Sequence, residues 1–224
     1  MKKHWWKALA AVLLIYTIVM GFLGDVPRQP ILNETIRNLY FHVTMWFAMF
    51  IITLVSLIYS IKYLNSEKLQ SDYKAEAFAS VGLLLGILGL LTGMVWVNYT
   101  WNANPNKILL WVKEDVKLNA AAMGTLMYVV YFILRSSVED PHKKARFAAV
   151  FNIFAFVMLI LFTTVIPRLS DSSLHPGNAG NPGFNMYDVS SEMRMVFYPA
   201  VIGWTLLATW IANLRVRLTL LKNS

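Results

Sequence analysis

Two histidines, His42 and His175, lie on either side of a tryptophan-rich segment and have the side chains best suited to chemistry. An imidazole binds a transition metal through one ring nitrogen while the other ring nitrogen donates a hydrogen bond. The segment between the two histidines carries Trp96, Tyr99, Trp101 and Trp111. Flat rings can stack on a planar apolar ligand, and they also form the aromatic belt of proteins at a membrane surface. The pattern therefore combines metal ligands with an aromatic surface.

The composition predicts an integral membrane protein. Hydrophobic residues make up 57% of the chain and charged residues 14%, compared with about 45–50% and about 25% in soluble proteins. Since a crossing takes about 20 residues, this length permits about six transmembrane helices. The chain has no cysteine, which excludes disulfides, thiolate metal sites and thiol redox relays within it. Its basic residues are scattered between apolar segments, so we expect no nucleic-acid partner.

The apolar segments predict an all-α, polytopic fold, with residues 1–224 forming a single transmembrane domain. Six crossings are expected at about residues 5–23, 40–61, 76–97, 118–134, 147–166 and 195–214. The first crossing follows a basic segment but precedes no convincing small-residue cleavage site, so we interpret it as an uncleaved anchor. A tryptophan-rich external loop is expected over residues 96–117, with a short interfacial helix over residues 107–112.

The third crossing is rich in glycine. Gly82 and Gly86 form a small-xxx-small pair, while Gly86, Gly89 and Gly93 lie close to one helical stripe. Such a stripe lets a neighbouring helix approach closely. We interpret these glycines as packing residues.

The lysines and arginines predict the orientation in the membrane. If the N-terminus is cytoplasmic, 13 of the 20 fall in cytoplasmic segments: Lys2, Lys3, Lys7, Lys62, Lys68, Lys74, Arg135, Lys143, Lys144, Arg146, Arg215, Arg217 and Lys222. This excess follows the positive-inside rule, so both termini are expected in the cytoplasm. His4 and His142 then lie in basic cytoplasmic segments and are interpreted as solvated residues. His42, His175 and the tryptophan-rich loop share the outer face.

Two histidines beside aromatic rings fit haem iron better than zinc. Zinc takes three or four protein ligands, and the outer face offers two histidines and no cysteine. The carboxylates of Glu114, Asp115 and Asp188 could complete a zinc site, but they would not explain the rings. Iron in a porphyrin needs only axial ligands from the protein, and two imidazoles can supply them.

Three arginines near the outer helix ends could bind the haem propionates. Arg37, Arg168 and Arg194 could form charge-assisted hydrogen bonds with these carboxylates. Each of them is equally compatible with a role as an interfacial anchor. The sequence has no GxGxxG motif, phosphate-binding loop or convincing triad, so binding is expected rather than catalysis.

These features resemble the haem exporter protein C family, the six-helix haem-handling membrane proteins of the cytochrome c maturation system. Tyr40-x-His42-Val43 is similar to the first histidine site of the family, and His175 occupies the position of the second. Asp115-Val116-Lys117-Leu118-Asn119 resembles the end of the family's tryptophan motif. That motif is usually a compact Trp-Gly-x-Trp-Trp-x-x-Asp run, whereas here its tryptophans are spread out and residues 104–110 are interpreted as an insertion.

The resemblance implies a carrier of haem b at the outer face of the bacterial cytoplasmic membrane, and not an enzyme. His42 and His175 would be axial ligands of the iron, and the aromatic loop would be the platform. Haem would pass to a membrane-anchored periplasmic haem chaperone, in a complex with ABC-type transporter subunits. The chaperone would form the bond to haem, while this protein supplies position and iron ligation.

Other classes of protein remain open at this stage. A cytochrome b-like electron-transfer subunit would carry histidine pairs inside its crossings, where this chain has only His42 at a boundary. An assembly scaffold or transporter subunit without haem would use the tryptophans only as a membrane belt. It would show no visible absorbance when purified. A membrane transferase would need a nucleophile or base that neither face offers clearly.

Overall fold

The computed structural model describes residues 4–28, 32–100, 115–170 and 189–222, with only the backbone described for Asn98. Within these ranges the chain is helical, and six helices are long and apolar enough to cross a membrane. They are α1 (Trp5–Leu23), α2 (His42–Ser66), α3 (Leu69–Thr100), α4 (Val116–Ser136), α5 (Pro141–Ile160) and α6 (Ser191–Lys222). The predicted all-α class and number of crossings are thereby confirmed.

The connection between α2 and α3 is shorter than the polar stretch in the sequence suggests. Only Glu67 and Lys68 separate the two helices, although residues 65–74 are polar enough to predict a loop. Glu67 adopts a left-handed conformation with a φ of 51°, and its N–H donates to the Tyr63 carbonyl at 2.7 Å. The flanking residues include no proline or glycine, so nothing prevents the helices from continuing up to this turn.

A 3-10 helix over Asn33–Tyr40 leads into α2, just before the crossing that the sequence predicts from about residue 40. Its Ile36, Leu39 and Tyr40 side chains are buried. They pack in one cluster with Met193 and Phe197 near the start of α6. The burial of one apolar face explains why this polar stretch is helical. It also brings the segment between the first two crossings against the start of the sixth.

The pair formed by α2 and α3 is the centre of the bundle. These helices make the most extensive contact, while α1 packs chiefly on α6 and α4 packs on α5. The main core cluster draws side chains from α2 to α6. Among the six spans, α1 is the least buried within the protein. At the end of the bundle that holds His42, the central pair contacts the 3-10 helix, which also contacts α1.

The glycines of α3 form a row against α2, which we call the glycine ladder. A Cβ atom built on Gly82, Gly86, Gly89 or Gly93 would lie 2.5–2.9 Å from a side-chain atom of Thr53, Met49, Trp46 or His42, respectively. Separations this short are not tolerated between carbon atoms, so each larger side chain of α2 occupies the space that the missing side chain leaves. The predicted packing role of these glycines is confirmed.

An ion cluster joins α3 to α4 at the end of the bundle away from His42. Arg135 donates to both carboxylate oxygens of Asp72, at 2.6 and 2.9 Å, and to the Glu76 carboxylate at 3.0 Å. The Arg135 and Asp72 side chains are only 8% and 6% exposed. A two-pronged bond of this kind matches the planar guanidinium to the planar carboxylate. The cluster therefore fixes how α3 and α4 pack at that end.

Candidate functional site

His42 is the first residue of α2 and is buried against α3. Its Nδ1 lies 3.0 Å from the hydroxyl oxygen of Thr92 on α3. The imidazole packs edge-on against Trp96 and Trp46, with ring centroids 5.8 and 6.5 Å away. The backbone of Gly93 lies directly beneath it, since a Cβ there would come within 2.8 Å of the imidazole Cε1. The ring is therefore held by both helices of the central pair.

Trp96 and Tyr99 lie on the last turns of α3, which continues to Thr100. The sequence placed Tyr99 in the external loop over residues 96–117, and Trp96 where that loop overlaps the crossing expected over residues 76–97. Trp96 is half-buried, and its indole N–H donates to the Thr35 hydroxyl at 3.1 Å. This bond ties α3 to the 3-10 helix. Tyr99 is exposed at the end of α3. The two rings therefore stand on a helix, which fixes their direction better than a loop would.

A groove of about 580 Å³ opens beside these residues. Its walls come from the end of α1, the 3-10 helix and the last turns of α3, and they include Phe22, Thr35, Phe41, Thr92, Val95 and Trp96. Pockets for small ligands and cofactors typically occupy about 300–1,000 Å³ and are mostly apolar with a few polar groups. Thr92 lines the groove and contacts His42. It therefore connects the open space to the buried imidazole.

Arg37 lies on the wall of this groove. Its guanidinium forms an ion pair with Glu34 at 2.7 Å and donates to the carbonyls of Gly21 and Gly24 at the end of α1. The last carbonyls of a helix lack partners within the helix and carry partial negative charge, so a cation is stabilising there. Arg37 therefore stabilises the end of α1 beside the groove.

The other two predicted arginines lie at different helix ends. Arg168 is exposed in the 3-10 helix Ile166–Leu169, which follows α5 through a short π-helix over Leu161–Val165. The Arg194 Nε donates to the Val189 carbonyl at the start of α6, at 3.1 Å. Neither belongs to the described lining of the groove. Their binding of propionates stays a prediction.

Asp115 begins α4 as its N-cap. Its carboxylate accepts a hydrogen bond from the Leu118 N–H at 2.8 Å, and the Asn119 side-chain amide donates to its carbonyl at 3.0 Å. The residue is buried. An Asp in this position satisfies one of the N–H groups that have no partner within the helix. Asp115 therefore fixes the point at which the chain enters α4 after the tryptophan-rich segment.

Three of the predicted site residues, His175, Trp101 and Trp111, lie outside the described residues, as do Glu114, Asp188 and the expected interfacial helix. Among the described residues, the structure brings His42, Trp96, Tyr99 and Arg37 to one end of the bundle. Sequence analysis missed Thr35, Thr92 and Trp46. For Trp46 and Thr92 the only sequence signal is spacing. Trp46 follows His42 by one helical turn, and Thr92 adjoins the last glycine of the ladder.

The fold and the site define a multi-pass membrane protein with a buried histidine beside an aromatic groove. Residues 1–224 match the family described as Heme exporter protein C (CcmC). The chain is 26% identical over 215 residues to the Heme exporter protein C of Paracoccus denitrificans, covering 95% of this chain and 84% of that protein. The Haemophilus influenzae protein of that name is 25% identical over 221 residues, covering 96% of this chain and 82% of the relative. The Bradyrhizobium diazoefficiens protein is 28% identical over 156 residues, 69% of this chain and 56% of the relative.

The chain therefore belongs to the Heme exporter protein C family. This confirms the resemblance that the residues carry. It also places the chain among the membrane proteins of cytochrome c biogenesis and haem transport.

Proposed function

We propose that the groove binds haem at the outer face of the cytoplasmic membrane, with His42 and His175 as the axial ligands of the iron. The observation that carries this proposal is the position of His42, whose imidazole is buried beside an apolar groove and packed against two tryptophans. Haem iron is bound in proteins by one or two such side chains. The match to the Heme exporter protein C family supports haem as the ligand.

The described residues fit haem as a transported substrate in three respects. His42 offers an imidazole, Trp96 and Tyr99 offer flat rings beside the groove, and Arg37 offers a cation on its wall. Glu34, the ion-pair partner of Arg37, is exposed. A propionate reaching the wall would compete with the Glu34 carboxylate for the same guanidinium, because both are carboxylates that bind arginine in the same geometry.

The protein acts as a carrier, and not as an enzyme that turns haem over. It delivers haem to a membrane-anchored periplasmic haem chaperone and works with ABC-type transporter subunits. Both termini lie in the cytoplasm, so the groove faces the periplasm. The name of the relatives, Heme exporter protein C, supports the transport role, and the excess of basic residues at the opposite end of the helices supports the orientation.

The test is the absorption spectrum of the detergent-purified protein, oxidised and reduced with dithionite. We expect haem bands in the wild type, altered bands in His42→Ala and in His175→Ala, and loss of the bands in the double variant. His142→Ala is the matched control, because His142 is exposed at the other end of the bundle. Maturation of cytochrome c in cells should fall in each single variant and fall furthest in the double variant. A colourless wild type after growth with added haem, or a double variant with unchanged bands, would contradict the proposal.

Asp115→Ala separates the cap of α4 from a role in the haem site. Asp140 caps α5 through a bond to the Lys143 N–H, also at 2.8 Å, so Asp140→Ala is a matched control. Each variant should lose about 1 kcal/mol of stability with its cap. Only Asp115→Ala should also lower the haem content, because α4 begins at the outer end. Thermal unfolding and haem per protein measure the two effects. Equal haem content in both variants would reduce Asp115 to a helix cap.

A further inference from the structure

We propose that Thr92 presents His42 to the haem iron by determining which imidazole nitrogen carries the hydrogen. The inference rests on the proposed function for its ligand, but its first step concerns the protein without haem. The Nδ1 of His42 lies 3.0 Å from the Thr92 Oγ1, which is a hydrogen-bond distance. A neutral imidazole has one N–H and one bare nitrogen, and a hydroxyl can donate or accept. The direction of this bond therefore decides the tautomer.

The backbone of α3 settles that direction. The Thr92 hydroxyl lies 2.8 Å from the Leu88 carbonyl and 3.1 Å from the Gly89 carbonyl. A carbonyl oxygen only accepts, and a threonine hydroxyl has a single hydrogen to give. That hydrogen goes to the backbone of the helix, as it commonly does for threonine inside membrane helices. Thr92 therefore offers a lone pair to His42, and the imidazole donates from Nδ1.

The consequence is a lone pair on Nε2. When the Nδ1 carries the hydrogen, Nε2 is the nitrogen that can bind iron. Histidines that bind metals generally donate their other N–H to an acceptor, which fixes the tautomer and the orientation of the ring. In this structure the acceptor of that N–H is a hydroxyl. A hydroxyl polarises the imidazole less than a carboxylate would. The bond from His42 to iron is therefore weaker than the bond of a histidine that donates to a carboxylate. A weaker bond suits a protein that must release its haem.

The surroundings of the ring limit what else Thr92 can do. His42 is seated against the backbone at Gly93, with Trp46 and Trp96 beside it. These contacts hold the ring in place whether or not the hydroxyl is present. Thr92 is therefore a positioning residue whose effect is chemical: it selects a tautomer of a ring that packing has already oriented.

The first experiment measures the tautomer in haem-free protein. Nuclear magnetic resonance of protein with isotopically labelled histidine distinguishes the two tautomers, and His42→Ala identifies the signal. We expect the Nδ1–H tautomer in the wild type and in Thr92→Ser, which keeps a hydroxyl. Thr92→Val has nearly the same shape without the hydroxyl and should show the other tautomer or a mixture. A wild type in the Nε2–H form, or a Thr92→Val spectrum like that of the wild type, would overturn the inference.

The second experiment measures the bond to haem. Thr92→Val should release haem to an excess of a haem-scavenging protein about tenfold faster than the wild type, in the range typical for loss of a partner of a metal-binding histidine. It should also shift the iron–histidine vibration, and Thr92→Ser should restore both values. Thr205→Val is the control, because the Thr205 hydroxyl donates to the Val201 carbonyl in the same way on α6.

The outcomes separate the two proposals. A wild type that binds no haem would overturn the proposed function and the role of Thr92 toward iron together. A wild type that binds haem, with an unchanged release rate and vibration in Thr92→Val, would overturn the inference alone. A Thr205→Val variant that releases haem as fast as Thr92→Val would also overturn it, since the effect would then not depend on contact with His42.

Discussion

Replacing Gly93 with valine will remove haem from the protein while the six-helix bundle stays folded. A Cβ at this position would lie 2.8 Å from the Cε1 of His42, and valine adds two methyl groups to it. The imidazole must then leave its seat between the helices and lose its bond to Thr92. We expect the haem content to fall by at least about tenfold, since the proposed iron ligand and its hydrogen-bond partner are lost together. The bundle should persist because the change lies at one end of the helices and not in the main core cluster.

Haem per protein and circular dichroism measure the two halves of this expectation. Met94→Val is the matched control, because Met94 is the next residue along α3 and is exposed. It introduces the same β-branched side chain about 100° around the helix from Gly93, and its haem content should stay close to that of the wild type. A Gly93→Val protein with full haem content would mean that His42 does not bind iron from the position seen here.

Replacing Arg135 with alanine will cause the largest loss of stability, about 3–5 kcal/mol. The substitution leaves the Asp72 carboxylate buried without the guanidinium that donates two hydrogen bonds to it. A buried charge without a partner is far more costly than the ion pair itself is favourable. Unfolding by denaturing detergent, followed by circular dichroism, measures the loss. Asp72→Asn in the same chain should recover part of it, because the uncompensated charge is removed.

An exposed ion pair provides the control for this experiment. Arg146 and Glu67 approach to 3.6 Å with side chains 73% and 69% exposed. Arg146→Ala should cost at most about 1 kcal/mol, since solvent screens such pairs. If both arginine variants unfolded alike, burial would not set the strength of the Arg135 cluster. The haem spectrum of Arg135→Ala should match the wild type wherever the protein remains folded, because the cluster lies at the far end of the bundle.

The number of crossings could be predicted from the sequence, whereas the ends of the helices could not. Hydropathy over about 20 residues is a strong signal, because each crossing must be apolar and must satisfy its backbone hydrogen bonds within one helix. It says little about polar residues next to a crossing. Residues 65–74 illustrate this limit: they are polar enough for a loop, yet only Glu67 and Lys68 lie between helices. Tyr99 likewise belongs to α3, although it was assigned to a loop.

At the candidate site, residue type drew attention to His42 and Trp96 but not to the residues they contact. Imidazole and indole rings can be read directly from the sequence, and their chemistry suggests a ligand site. Threonines are frequent in membrane helices, where their hydroxyls usually bond to their own backbone. Thr35 and Thr92 matter because of what they face, and that depends on how two helices pack. The glycines of α3 were recognised as packing residues, yet the sequence did not reveal that Gly93 lies against His42.

The glycine ladder depends on matching residue intervals in the two helices. The α2 side chains that pack on the glycines are spaced by four, three and four residues from His42 to Thr53. The glycines opposite them on α3 have the same intervals, counted backwards from Gly93 to Gly82. One residue inserted inside either series would rotate everything beyond it by about 100° around the helix. A change of length outside the two series leaves their register unchanged. A change of length between His42 and Thr53 breaks it, so the seat of the imidazole depends on the exact length of this stretch.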